Sequence, residues 1–338
     1  MNLLIVSNTE LQTFRMIYNC VLKLPENVNW KILGNIKYHQ RLISIFGINR
    51  FIDIPIYQLH EYIKKNNEPF NFLKDIPEKS IIIPTDFESL RFLSKNKHSF
   101  PGHSVCPLME EDMLNYLDDK SNQKEIVANC KILSPKEYIY PELKNLPNNQ
   151  CFVIKPSLAS ASYGVFISKN CQQAIKHYES LTPENKNTHI IQDYIVGDDY
   201  FYYAICFKGE VYLSAIIKPG CLPGRFRYFG TVFINNPSVS EIAEKIICYY
   251  NYSGPISIDF RIAKESKKIY LIEINPRNGS NFYFLGVVNV NWLLELAKVS
   301  ENPDGYDKKY SVTSNSKWFS SFKLTLLDIF LKLKYIIT

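Results

Sequence analysis

The chain has 338 residues, 46% of them hydrophobic and 21% charged, which is enough apolar material for about two packed domains and excludes wholesale disorder. Lys and Arg outnumber Asp and Glu by 39 to 33, a net charge of +6; with no long basic run this field is too weak to argue for nucleic acid, and small anionic ligands stay open. The eight cysteines form no C-x-x-C pair and the six histidines are dispersed, so neither a disulfide framework nor a zinc ribbon is suggested, the histidines argue against an imidazole-held metal, the thiols read as reduced core residues, and any metal is expected on oxygen ligands.

In chain order, the opening MNLLIVSNTE has a five-residue apolar run without a basic flank, the length of a strand and not of a signal peptide, so a cytoplasmic protein is expected. Leu3 to Val6, Trp30 to Leu33, Phe51 to Ile54 and Ile81 to Ile83 read as strands, with helical patterns over Leu11 to Leu24, Arg41 to Phe46 and Phe87 to Leu93. That rhythm predicts a parallel sheet with covering helices. The first strand-to-helix turn is Ser7-Asn8-Thr9, without the G-x-G-x-x-G of a dinucleotide site. Thr85 or Asp86 is expected either to cap the helix after Ile83 or to touch a substrate; Asn8, Thr9 and Arg15 are weaker polar candidates. From about Cys106 the pattern is helical through Glu110 to Cys130, then strand-like to Lys155-Pro156. Strand-like runs over 190–217 are divided by Gly197 and Gly209, a helix is expected over 241–250 and a hairpin over 254–277, an α+β arrangement with boundaries near 105 and 189. The tail from Trp318 to Thr338 is apolar but interrupted by Lys323, Asp328, Lys332 and Lys334, so it is expected to pack as a helix on the body or a partner, or to lie on a membrane surface without crossing it.

The hairpin GPISIDFRIAKESKKIYLIEINPRNGSN, residues 254–281, carries the strongest chemical signal. Period-two alternation puts Asp259 and Arg261 on one face of the first strand and Glu273, Asn275 and Arg277 on one face of the second. Folding about Ser266 sets Asp259 opposite Glu273, and the alternate residues Ile256, Ile258, Phe260, Ile262, Ile272 and Ile274 are expected on the buried face. Facing carboxylates repel unless a cation lies between them, and Mg²⁺ suits such oxygen ligands; a surface carboxylate pair is the plainer alternative.

Asp259 followed by Glu273-Ile-Asn275-Pro-Arg277 resembles the metal-binding hairpin of the ATP-grasp superfamily. Phe152-Val-Ile-Lys155-Pro156, with the loop Ser157-Leu-Ala-Ser160-Ala-Ser162-Tyr163-Gly164, is similar to its lysine-bearing strand and phosphate-covering loop, although this loop has one glycine and three serines where the family is commonly glycine-rich. Ile190-Ile-Gln192-Asp193-Tyr194-Ile195-Val-Gly197-Asp198-Asp199 resembles the adenine-binding linker, with Gln192 at a position often held by Glu, and Asp119-Lys120 resembles the first phosphate lysine. These segments occur in family order over residues 106–300.

The resemblance implies a fold of α/β plus α+β type: a parallel-sheet preATP-grasp domain over 1–105, then a two-lobed ATP-grasp module with lobes over 106–189 and 190–300, and a tail over 301–338. It implies ATP and Mg²⁺, or Mn²⁺ in its place, with Asp259, Glu273 and Asn275 as metal ligands. Lys120 and Lys155 would meet the phosphates under Ser160 and Ser162. Asp193, Tyr194 and Ile195 would meet the base through their backbone beside Gln192, and Asp199 would meet the ribose. Arg277, with Lys155, Arg225 and Arg227, would act on the transferring phosphoryl group or the acceptor. The implied activity is ATP-dependent joining of a small-molecule carboxylate to an amine through an acyl phosphate. Two alternatives keep the same motifs: a kinase acting on a small acceptor, and a nucleotide-binding regulatory protein without turnover. The expected partners are small molecules and not nucleic acid, with room for a homodimer and for peripheral membrane contact through the tail.

Overall fold

A computed structural model describes residues 1–8, 17, 18, 20–65, 76–159, 162–219, 232–278, 282, 285, 290–302 and 310–312. Ser160, Arg225, Arg227, Thr9, Arg15, Cys221, residues 11–16 and 19 of the 11–24 helical pattern and the apolar tail lie outside the described residues.

The N-terminal part runs β1 (Asn2–Val6), β2 (Asn29–Gly34), α1 (Gln40–Phe46), β3 (Phe51–Asp53), α2 (Ile56–Lys65), β4 (Ser80–Pro84), α3 (Phe87–Asn96) and β5 (Ser104–Val105). The five strands form one parallel sheet in the order β3-β2-β1-β4-β5. Leu3, Leu4, Ile5 and Val6 of β1 and Ile81, Ile82 and Ile83 of β4 are all buried, the continuous apolar runs of strands covered on both faces. Asp86 is the residue that caps α3: its carboxylate accepts from the Ser89 N–H at 2.9 Å and from the Asn8 N–H at 2.7 Å. Thr85 instead donates its hydroxyl to the Val6 carbonyl. These bonds tie the ends of β1 and β4 together.

Next come α4 (Glu111–Asp118), α5 (Gln123–Cys130), β6 (Glu137–Tyr138), α6 (Tyr140–Leu143), β7 (Phe152–Pro156), β8 (Phe166–Ile167), α7 (Cys171–Ser180), α8 (Pro183–Thr188) and β9 (His189–Asp193). The helical stretch expected over Glu110 to Cys130 is broken between α4 and α5, because Asp119 takes an extended backbone and its side chain caps a single 3-10 turn, Lys120–Asn122. That break turns the Lys120 side chain inward, where it is 9% exposed. Strands β6-β9-β7-β8 form a small antiparallel sheet, covered by Cys171 and Ala174 of α7 against Phe152, Ile154 and Ile191.

The remaining elements are β10 (Gly197–Phe207), β11 (Glu210–Lys218), β12 (Val232–Ile234), α9 (Pro237–Tyr249), β13 (Gly254–Ala263), β14 (Ile269–Asn275), α10 (Trp292–Glu301) and β15 (Tyr310–Val312). They build the sheet β12-β11-β10-β13-β14, with β15 beside β11. Alternation along β10 divides two cores: Tyr202, Ala204 and Cys206 pack with α9, α4 and α5, while Phe201, Tyr203 and Ile205 share a core with β1, β2, β4 and α10. Helix α9 starts four residues before the expected 241, where Asn236 accepts from the Val239 N–H and Pro237 occupies the first turn.

In the β13–β14 hairpin Asp259 faces Glu273 as the sequence reading requires, but a bulge follows: Phe260 pairs with Leu271, leaving Ile272 as the extra residue. The expected buried face is corrected accordingly. Leu271, 1% exposed, fills the core, and Ile272 lines the cleft described below. A second correction concerns the thiols: Cys20, Cys106, Cys130, Cys171 and Cys206 are buried and free, but Cys151 is half-buried and Cys248 is exposed on α9. Among the described residues no helix is long and apolar enough to cross a membrane.

Candidate active site

A cleft of about 490 Å³ lies between the small sheet and the β10–β13–β14 face of the large one, a size suited to a nucleotide. Along β7 the alternation that buries Phe152 and Ile154 in the small-sheet core turns Val153 and Lys155 to the cleft. The Lys155 amine, on a residue 6% exposed, donates to the carbonyl of the bulge residue Ile272 at 3.2 Å. Burial pulls its pKa down to about 8, the nearby Lys120 adding to the effect and the carboxylates Glu273, Glu137 and Asp259 opposing it.

Lys120 reaches across the same space, donating to the Ala159 carbonyl at 2.9 Å and pairing with Glu273 Oε2 at 3.4 Å. It joins the loop after β7 to the hairpin. Burial acts to raise the Glu273 carboxyl, but Lys120, the Asn275 amide, Lys155 and Arg277 outweigh it and hold the group below the ordinary carboxylate range. Asn275 donates to Glu273 Oε1 at 3.0 Å and accepts from Arg277 Nη2 at 2.7 Å. The guanidinium of Arg277 is also bonded to Asp118, at the end of α4, and lies 5.0 Å from the Phe87 ring centroid. Each polar group on β14 is thus oriented by another.

The oxygen set fits a hard cation. Asp259 and Glu273 are register partners across the hairpin, both line the cleft, and Glu273 is held ionised. For Asn275 to join them as a ligand its amide must turn over, since its oxygen here accepts from Arg277. Among the described residues no group of three His, Cys, Asp or Glu side chains forms a separate metal site.

At the other end of the cleft, Gln192, Asp193, Ile195 and Asp199 line the wall. The Asp193 N–H is used by the Lys136 carbonyl and the Tyr194 N–H by the Cys151 carbonyl. The Asp193 carboxylate accepts from Gln150 at 2.6 Å. Asp199 Oδ1 accepts from Arg261 Nε at 2.7 Å; this guanidinium also donates to the Ile195 carbonyl and sits 5.4 Å from the Tyr194 ring centroid. Gly197, the first residue of β10, has no room for a side chain: a Cβ there would stand 2.1 Å from the Ile262 carbonyl oxygen. Over the lysine end of the cleft, Ser162 and Gly164 take positive φ values of 60° and 70°, folding the loop back onto Pro156 and leaving Tyr163 80% exposed at the rim.

A family model for the ATP-grasp domain matches residues 117–280, the segment that supplies Lys120, Lys155, the linker and the hairpin. The chain carries an ATP-grasp domain. Solved ATP-grasp structures share the fold: an L-amino acid ligase from Bacillus licheniformis at 13% identity (TM-score 0.60, covering 91% of this chain and 77% of that one), and a biotin carboxylase from Campylobacter jejuni at 14% (0.60, 92% and 72%). A D-alanine–D-alanine ligase from Bacillus anthracis, complexed with ATP, matches at 15% (0.55, 91% and 94%). No curated protein sequence matches the chain.

Within this ATP-grasp cleft the structure brings together Lys120, Lys155, Ser162, Gln192, Asp193, Ile195, Asp199, Asp259, Glu273, Asn275 and Arg277. The sequence reading gave no role to Asp118 or Glu137, put Ile272 in the core, and gave Arg261 no part at the linker. Arg261 was detectable, since it shares the Asp259 face of β13 and pairs across the ladder with Asp199; Asp118 and Glu137 reach their partners only through the tertiary fold.

Proposed function

We propose that this protein is an ADP-forming ligase that activates a small-molecule carboxylate with ATP and joins it to an amine. The observation that carries the reading is the convergence, in one cleft of about 490 Å³, of two lysines at most 9% exposed, a facing carboxylate pair and an arginine held at both ends of its fork. The buried Lys155 amine, hydrogen-bonded to a carbonyl and not to a carboxylate, is costly, and a polyphosphate is a ligand that repays it. Lys155 and Lys120 bind the phosphate oxygens, and Asp259 and Glu273, with Asn275 once its amide turns, hold the metal. Mg²⁺, when bound, neutralises charge on the phosphates and aligns them. Gln192 and the linker backbone hold the base, and the loop through Ser162 and Tyr163 excludes water.

Arg277 presents its remaining guanidinium N–H groups to the carboxylate, one of whose oxygens attacks the γ-phosphorus as the bond to ADP breaks. The amine then attacks the acyl carbon, phosphate leaves, and the amine's proton passes to solvent. No side chain needs to form a covalent intermediate, because the acyl phosphate is itself the activated species. The acyl phosphate also separates this reading from phosphorylation of a hydroxyl. Incubation with Mg²⁺, ATP, pools of carboxylic acids and hydroxylamine is expected to release ADP and yield a hydroxamate with at least one pool; ADP release from a hydroxyl acceptor, without hydroxamate from any acid, contradicts the ligase.

A further inference from the structure

At the inner wall of the base end of the cleft, Gln192 of β9 is 2% exposed and still lines the cavity. Its amide nitrogen donates to Glu137 Oε1 at 3.0 Å, from the register partner on β6. Burial pushes the Glu137 carboxyl up, and the hydrogen bond from the Gln192 amide and the ammonium of Lys155 oppose that rise by favouring the ionised form. An ionised carboxylate only accepts hydrogen bonds, so it fixes which end of the amide faces it: nitrogen toward Glu137, carbonyl oxygen left for the cleft. A glutamine with no such neighbour presents either end at similar cost and reads an exocyclic amine or an exocyclic oxygen equally well.

We propose that Glu137 is a positioning residue that locks the Gln192 amide with its carbonyl oxygen toward the nucleobase, making the site select a purine with an amine at position 6 over one with an oxo group there. This rests on the ATP-binding reading of the cleft. A 6-amino purine donates to that oxygen. A 6-oxo purine sets oxygen against oxygen and leaves two buried acceptors facing each other, an arrangement binding sites reject far more strongly than a missing methylene. The same half-buried carboxylate acts electrostatically on Lys155, so base selection and the phosphate lysine share one charge.

The test compares the binding of ATP and inosine triphosphate, which differ at position 6, to the full chain with Mg²⁺ by calorimetry. Wild type is expected to prefer ATP by about tenfold or more. Glu137→Gln, nearly isosteric, frees the Gln192 amide to turn and is expected to bring the two affinities within about threefold of each other, chiefly by improving inosine triphosphate. Gln192→Met keeps the volume and is expected to lose the same discrimination. Equal affinities in wild type, or a Glu137→Gln protein in which both nucleotides weaken by the same factor, overturn the proposal while leaving the nucleotide site standing. A wild-type protein that binds neither removes the nucleotide reading as well.

Discussion

Lys155 is held 6% exposed with one hydrogen bond, to the Ile272 carbonyl, and titrates near 8 because burial disfavours its charge. Its folded pKa lies below the free value of about 10.4, so the unfolded chain holds more protons between about 8 and about 10.4 and this group's contribution to stability rises with pH across that window. Below it the buried charge is a cost. Lys155→Met is therefore expected to stabilise the unliganded protein at pH 7 by about 1–3 kcal/mol, read by urea unfolding, while abolishing ATP binding; destabilisation accompanied by retained binding contradicts the role given to the amine. Phosphate favours the ammonium form, so ATP binding near pH 8 is expected to take up about half a proton, seen as a dependence of the calorimetric enthalpy on buffer ionisation heat. Affinity should fall as pH rises through 8 to 9, and a flat profile argues that another cation carries the phosphate.

The β13–β14 hairpin decides where each side chain points, and its bulge separates what the sequence could say from what it could not. Alternation and the midpoint at Ser266 were sufficient to place Asp259 opposite Glu273. Beyond that pair, strict alternation puts Ile272 in the core, whereas the bulge puts Leu271 there at 1% exposure and leaves Ile272 at the cleft with its carbonyl on Lys155. The bulge is stabilised from outside the hairpin: Gln123 donates to the Leu271 carbonyl at 2.5 Å and the Leu271 N–H reaches the Leu133 carbonyl at 2.8 Å. Two adjacent apolar residues carry no local sign of which one is extra, so this detail was invisible in the sequence. Leu271→Ala is expected to cost about 3 kcal/mol of stability with ATP affinity little changed, and Ile272→Ala under about 1 kcal/mol with weakened ATP binding; the reverse order, by denaturation and calorimetry, restores strict alternation. Asp119-Lys120 shows the same limit, since the pair was visible by its resemblance to a phosphate lysine but the turn inside the helical stretch that directs it was not.

Across the whole molecule, the parallel sheet and the large antiparallel sheet share a core in which Leu3, Ile5 and Ile81 meet Phe201, Tyr203 and Trp292. The cleft is fastened to that junction: Asn278 donates to the Pro84 carbonyl at 2.8 Å, at the end of β4, and Arg277 is bonded to Asp118 of α4. Strand rhythm made the sheets legible because period and apolar content are local properties; these cross-links join residues 194 and 159 positions apart in the chain and leave no local trace. Asp118→Asn removes the carboxylate opposing a guanidinium 15% exposed, and is expected to cost about 2 kcal/mol of stability and to raise the KM for the acceptor carboxylate with ATP affinity nearly unchanged. An unaltered KM with full stability contradicts the anchoring role. The central claim, that this cleft is a metal-assisted ATP site, is tested most directly by calorimetric ATP binding with and without Mg²⁺ on wild type and on Glu273→Gln. Binding that strengthens at least about tenfold with Mg²⁺ in wild type and loses that gain in the variant is the predicted result; ATP binding indifferent to Mg²⁺ and to Glu273, or no binding to wild type at all, contradicts it.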